Sequence, residues 1–387
     1  MFIIFLLFEV WLQGLINTPP APRFEAQVLD KNISIGYGLA IGDVDGDRKP
    51  DILLADQKQF VWYRNGDWKR FVLAENLTER DNVCIAARDL DGDGKVEIAV
   101  GAQWNPGETS DTIQSGAVFY LIRPQDPTQP WESVRLPHEP TVHRMRWVKK
   151  ANGASYLVVV PLHGRGNKNG EGQGVKIQAY QLPGNPRQTW PLFTLDNTLH
   201  LTHNLDVAET KANSRPDLYV ASKEGVRFLS GFNPKQATSQ TQKITGVEQA
   251  TGEVRLGKHR GNSKFLATIE PMHGTTVAVY WLDKTATRQV LDENVKEGHA
   301  LAAADFLGLG YDQVAAGWRN PNAENKVGIK LYVPGNQTNQ PWQHYWIDEN
   351  DMATEDLQVH DLNADGKPDI IAAGRATKNL KIYWNKS

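Results

Sequence analysis

The 387 residues predict an all-β fold, a seven-bladed β-propeller closed by an N-terminal strand, and three observations carry that prediction. An acidic loop pattern recurs three times, each copy with a glycine inside it and a short apolar run on either side. Apolar runs of strand length then follow one another along the chain, punctuated by Gly, Pro, Asn and Asp. No long helical period interrupts them.

The acidic loops come first in the argument because they set the repeat. Asp43, Asp45, Asp47 and Asp51 occupy positions 1, 3, 5 and 9 of the first loop. Asp89, Asp91, Asp93 and Glu97 hold the same positions in the second, and Asp361, Asn363, Asp365 and Asp369 in the third. Oxygen donors at this spacing, helped by a backbone carbonyl and water, suit Ca²⁺. An EF-hand needs a glutamate at position 12, where this chain has Leu54, Val100 and Ala372. Each loop is therefore expected to join two strands of one blade.

Blades are expected to start near residues 36, 82, 142, 202, 252, 298 and 354. Blade one takes its strands from 36–42, 51–55, 60–63 and 71–73, and blade two repeats that order with an insertion at 103–115. Blades three to five keep the strands and lose the acidic loop, and blade six retains part of it in Asp305 and Asp312. Blade seven has only three strands of its own. Residues 24–29 alternate like a strand, so they can complete blade seven and close the ring, which removes exposed sheet edges.

Residues 1–22 form a signal-like segment and linker, and 23–387 the propeller. The first 16 residues are apolar apart from Glu9 and Gln13, but no Lys or Arg precedes Arg23. The run is too short and interrupted for stable membrane insertion. A secreted, periplasmic or extracellular location is expected, which suits calcium loops. A net charge of -3 offers no basic surface, so nucleic acid is not an expected partner. The single cysteine, Cys84, lies in an apolar run and reads as a buried thiol. Oligomeric state is not legible.

A second pattern concerns one register. Six residues before the first position of the acidic loops stand Tyr37, Val83 and Glu355, and the same step in blade six gives His299. Aligning the remaining apolar strands adds His143, His203 and Glu253. In a propeller these positions circle the mouth of the central channel. His143, His203 and His299 are thus candidate ligands of a divalent cation there, Zn²⁺ or another transition metal, or Mg²⁺.

Connections between second and third strands return to the same face. They bring His163, His273, Arg165, Arg319, Trp104 and Trp318. His163 or His273 is a candidate general base, with Tyr37 a further acid or base, and Arg165 and Arg319 are candidates for stabilising enolate-like charge. Trp104 and Trp318 offer flat faces to a sugar, and His138 and Glu355 join them as candidate substrate contacts. Trp62, Trp281 and Trp384 sit in third strands and read as packing between blades.

The acidic loops resemble the FG-GAP or VCBS-type repeat of extracellular propellers. The segments around His138 and His143, around His163 and Arg165, and around His299 resemble the propeller domain of aldos-2-ulose dehydratase. That resemblance implies a metal-dependent lyase, a hydro-lyase that eliminates water from a keto sugar such as 1,5-anhydrofructose or an aldos-2-ulose. The cupin domains that follow in that family are not part of this sequence. Two other classes stay open: a non-catalytic, calcium-stabilised propeller that binds glycan or protein, and a polysaccharide lyase acting on uronates.

Overall fold

The computed structural model describes residues 19–150, 153–209, 215–236, 241–282, 285–335 and 340–387. The apolar stretch of residues 1–16, expected to act as a signal, lies outside them. Among the described residues the strands form seven four-stranded antiparallel sheets. No described helix is long and apolar enough to cross a membrane.

Second strands explain why the blades were legible. A blade sandwiched between two others buries both faces of its central strands, so these strands become continuous apolar runs. Asp51–Ala55 in blade one, Glu97–Ala102 in blade two and Asp369–Gly374 in blade seven follow this rule. The core is correspondingly made between blades: Leu53 and Trp62 of blade one pack with Ile98, Val100 and Phe119 of blade two. Trp62 stacks on Phe71 at 4.8 Å between ring centroids, as a packing residue should.

The inner strands are Gly38–Gly42, Cys84–Arg88, Val142–Lys149, Thr202–Ala208, Glu253–Lys258, Gly298–Ala304 and Thr354–His360. Each packs against the inner strands on either side, and the last packs against the first, which closes the ring. Their outer edges face the axis, and side chains satisfy edge N–H groups there. The Asp356 carboxylate accepts from Leu39 N at 2.7 Å, and Asp206 from Leu256 N at 2.9 Å.

Closure occurs as expected. Strand Phe24–Asp30 pairs antiparallel with Asn379–Asn385, from Phe24 opposite Asn385 onward, and becomes the fourth strand of blade seven. The Trp384 indole N–H donates to Gln27 Oε1 at 2.8 Å across that seam. Cys84 is buried, as its surroundings suggested.

Candidate functional site

Four inner strands lose register where they begin. Pairing passes from Val142 to Arg144, from Thr202 to Leu205, from Gly298 to Ala300 and from Thr354 to Asp356. The residues skipped are His143, His203 with Asn204, His299 and Glu355. A bulge bends its strand and re-aims the extra side chain, and here the re-aimed imidazoles meet although they come from blades three, four and six. Ring centroids of His143 and His203 lie 4.5 Å apart, and those of His203 and His299 4.9 Å apart.

Hydrogen bonds fix the tautomers. His143 Nδ1 lies 2.8 Å from the carbonyl of His203, and His299 Nδ1 2.5 Å from that of Glu355. His203 Nδ1 lies 3.1 Å from the Gly252 carbonyl and 3.2 Å from Glu253 Oε1. A carbonyl only accepts, so each Nδ1 carries the proton and each Nε2 keeps its lone pair. Burial, with Arg144 or Arg319 next, pushes His143 and His299 well below the ordinary histidine range. Burial likewise lowers His203, against the opposing pull of Glu253. These rings are neutral at pH 7.

Blade five has a glutamate at this register, and its gap is filled from a loop. The turn after strand Lys264–Glu270 presents His273 at a φ of 51°, in the left-handed region. Gly274 permits the turn, since a Cβ there would come within 2.0 Å of the Glu270 carbonyl oxygen. His273 Nε2 reaches within 2.8 Å of His203 Nε2, and its Nδ1 lies 3.3 Å from an Arg319 guanidinium nitrogen. His273 is exposed as a residue, but crowding of its ring by the cluster, then His203 and Arg319, push it below the ordinary histidine range.

Metal-set membership therefore differs from the sequence expectation. The nitrogens that fall within 4.8 Å of one another belong to His203, His273 and His299. His143 is outside that set: its ring lies between His203 and the half-buried Trp104, 5.0 Å from the latter. His273, expected as a candidate base, thus stands in this set where His143 was expected. The reason is that a loop residue replaced the missing ring histidine of blade five, which no register argument reveals.

A belt of charge continues from the histidines. Arg319 contacts Glu297 at 3.0 Å and Glu355 at 3.4 Å, and Arg375 holds the other Glu355 oxygen at 3.1 Å. Arg375 lies over the Tyr37 ring at 5.5 Å, and the Tyr37 hydroxyl donates to Asp81 at 3.1 Å. Burial first, then Asp81, raise the Tyr37 pKa, so the phenol stays protonated. Glu355, Tyr37, Arg319 and Trp104 are thus gathered with the histidines.

Other expected site residues are elsewhere. Trp318 is fully buried in the core between blades five and six, with its indole N–H on the Lys326 carbonyl at 3.0 Å. It cannot offer a face to a sugar, because the end of a second strand lies between neighbouring blades. Arg165 is paired with Glu139 at 2.9 Å, beside Lys176 on the same carboxylate. His138 sits between Arg135 and the Glu139 carbonyl, at 3.3 and 3.1 Å. His163 is tied through its backbone to Thr141 and touches no member of the cluster among the described residues. Sequence reasoning missed Asn204, Arg375 and Asp81, whose signal is only proximity in the fold.

The opposite face carries the acidic loops. Oxygens of Asp43, Asp45 and Asp51 converge within 4.8 Å, as do those of Asp89, Asp91 and Glu97. Position 9 has a second duty in all three loops: Asp51, Glu97 and Asp369 accept the N–H of Val44, Leu90 and Leu362 at 2.8, 2.7 and 3.0 Å. Gln313 does the same for Leu307 at 2.9 Å in blade six, without a charge. Asp47 and Asp93 instead accept from Lys49 N and Lys95 N at 2.9 and 2.8 Å. In the third loop, Asp361 and Asn363 both accept from Asp365 N, at 3.1 and 3.0 Å.

Fold and loops together define a seven-bladed β-propeller that contains an FG-GAP-like repeat. Residues 43–100 match the FG-GAP-like repeat family model. No curated protein sequence matches the chain. Among solved structures, BBS1N in complex with ARL6DN is similar at 12% identity and a TM-score of 0.57, covering 93% of this chain and 95% of that one. A chain of the Mitotic Checkpoint Complex is similar at 11% identity and a TM-score of 0.58, covering 99% of each. The WD40 beta propeller domain of Doa1 gives 8% identity and a TM-score of 0.56, covering 94% and 97%. These likenesses concern the fold alone.

Proposed function

We propose that the histidine face is a metal-dependent lyase site acting on a keto sugar. The observation that carries this reading is the convergence of His203, His273 and His299 within 4.8 Å, with Nδ1 of His203 and of His299 bound to carbonyls of the next blade. Neutral imidazoles with inward lone pairs are the donor set for a borderline divalent cation such as Zn²⁺. A cation held there would supply Lewis-acid polarisation of a carbonyl, which acidifies the adjacent C–H.

The chain's own groups do the rest. His143 keeps an unprotonated Nε2 beside the ligand set and accepts the C–H proton. The β C–O bond then breaks, and its electron pair leaves with the oxygen. The departing hydroxyl takes up the proton, so an enone and water are the products. Arg319, anchored by Glu297 and Glu355, faces the developing oxyanion. Trp104 covers the outer side of His143 and offers its remaining face to sugar C–H bonds. The choice of a keto sugar over another hydroxycarbonyl rests on the likeness of the histidine segments to the aldos-2-ulose dehydratase propeller.

Calcium in the acidic loops is part of the same proposal, and an extracellular or periplasmic setting would keep them filled. The test is to mix metal-loaded protein with 1,5-anhydrofructose, an aldos-2-ulose and a uronate polymer, and follow ultraviolet absorbance of a new conjugated carbonyl. Turnover of a keto sugar supports the reading. Turnover of the polymer alone would make the protein a polysaccharide lyase, and tight glycan binding without turnover a binding propeller.

A further inference from the structure

Glu253 stands at the register of the ring histidines but takes a different part. We infer that Glu253 is a positioning residue: its carboxylate on His203 Nδ1 makes His203 the anchoring ligand of the metal set. This rests on the metal reading above.

Among the described residues, His203 is the ring histidine with a carboxylate on its Nδ1. Glu253 Oε1 is 3.2 Å from that nitrogen, while Nδ1 of His143 and of His299 meets only a backbone carbonyl. Both carboxylate oxygens are engaged. Asn204, skipped by the same bulge that re-aims His203, donates its amide to Glu253 Oε2 at 2.7 Å, and Arg255 lies 3.5 Å from that oxygen. One irregularity in the strand thus positions the ligand and the group that holds its partner. A carboxylate bonded to the far nitrogen of an imidazole fixes its tautomer and raises its donor strength.

Charge gives the carboxylate a second reason to be there. Arg319 reaches His273 Nδ1 at 3.3 Å, Arg375 lies 3.1 Å from Glu355, and Arg144 donates to the His143 carbonyl at 3.1 Å, so three guanidiniums border the cluster. Glu355 is already shared between Arg319 and Arg375. Glu253 is buried to 1% exposure, and so is the anion best able to offset a dication among these guanidiniums.

Metal affinity of Glu253→Gln, measured by competition with a chromophoric zinc chelator, tests this without reference to turnover. A fall of about 10- to 100-fold is expected, with the far-ultraviolet spectrum of the variant unchanged. Equal zinc affinity in wild type and folded variant would overturn the inference and leave the metal site standing. If wild type binds no zinc, the metal reading itself fails. Should Glu253→Gln not fold, the imidazole proton spectrum of zinc-loaded wild type decides: a carboxylate-bonded His203 Nδ1 proton, downfield of the other two, is expected, and three equivalent positions would overturn it.

Discussion

His203 and His273 bring their Nε2 atoms within 2.8 Å, from positions 70 residues apart in the chain. His203 carries its proton on Nδ1, so in metal-free protein His273 must donate from Nε2, with its Nδ1 accepting from Arg319. A metal held by both Nε2 atoms would require the Nδ1–H tautomer of His273, with its proton moved to Nδ1 and the Arg319 contact given up. Alanine at His203, His273 or His299 is therefore expected to abolish stoichiometric zinc on elemental analysis. His143→Ala is expected to keep the metal and lose at least about 100-fold in turnover, the lower range for removing a general base. Loss of zinc in His143→Ala with retention in His273→Ala would restore the assignment read from register alone.

Calcium proposed for the acidic loops would leave a stability signature. Among the described residues Asp45 accepts one long hydrogen bond, from Asp47 N at 3.3 Å, whereas Asp51 holds both Val44 N and Asn65 N at 2.8 Å. Asp45→Ala thus removes a cation ligand while sparing the turn. Chelator should lower the melting temperature of wild type, because a loop filled at about 100 times its Kd gains about 2.7 kcal/mol. The drop should be smaller in Asp45→Ala and not zero, since the other loops still respond. A wild-type melting temperature indifferent to chelator would refute the calcium assignment.

The same loops predict a pH dependence in chelated protein. Burial pushes the Asp51 carboxyl up to about 7, and Glu97 likewise to about 7. A carboxyl whose folded pKa lies above its unfolded value binds protons more tightly when folded. Its stabilising contribution is full below the unfolded pKa near 4 and is lost as pH rises through about 7. Calcium competes with those protons, so the stabilisation it confers should grow between pH 4 and 7. Melting curves with and without calcium across this range measure the gap directly, and histidine titrations common to both curves cancel. A gap independent of pH would mean these two carboxylates do not ligate the ion.

What the sequence disclosed follows from which forces are local. Second strands are buried on both faces, so residues 51–55 and 370–374 declare themselves as apolar runs. Closure by residues 24–30 was legible because blade seven lacked a strand. The ring register found His143, His203 and His299, since each begins an inner strand. His273 was legible as a loop residue on this face but not as a member of the histidine set, because a turn, not a strand, supplies it and no register places it there. Bulges were also invisible: the skipped pair His203 and Asn204 leaves the apolar pattern of Thr202–Ala208 intact while turning His203 inward. Trp318 was misread because its motif sits where a strand ends, and the residue still belongs to the strand Gln313–Trp318.

The two tryptophans assigned to sugar binding separate cleanly by experiment. Trp318 is fully buried, packs 5.3 Å from Trp346 and donates to Lys326 O at 3.0 Å. Removing it leaves a cavity and an unpaired carbonyl, so Trp318→Ala should cost about 3–5 kcal/mol in chemical denaturation. Trp104 is half-buried beside His143 in the long insertion of blade two, and among the described residues its side chain makes no hydrogen bond. Trp104→Ala should cost much less stability and weaken ligand binding, whichever sugar binds, because it strips the apolar wall from His143. A stable Trp318→Ala with lost binding would place the ligand at the seam of blades five and six, while a Trp104→Ala that binds normally would remove the insertion from the site.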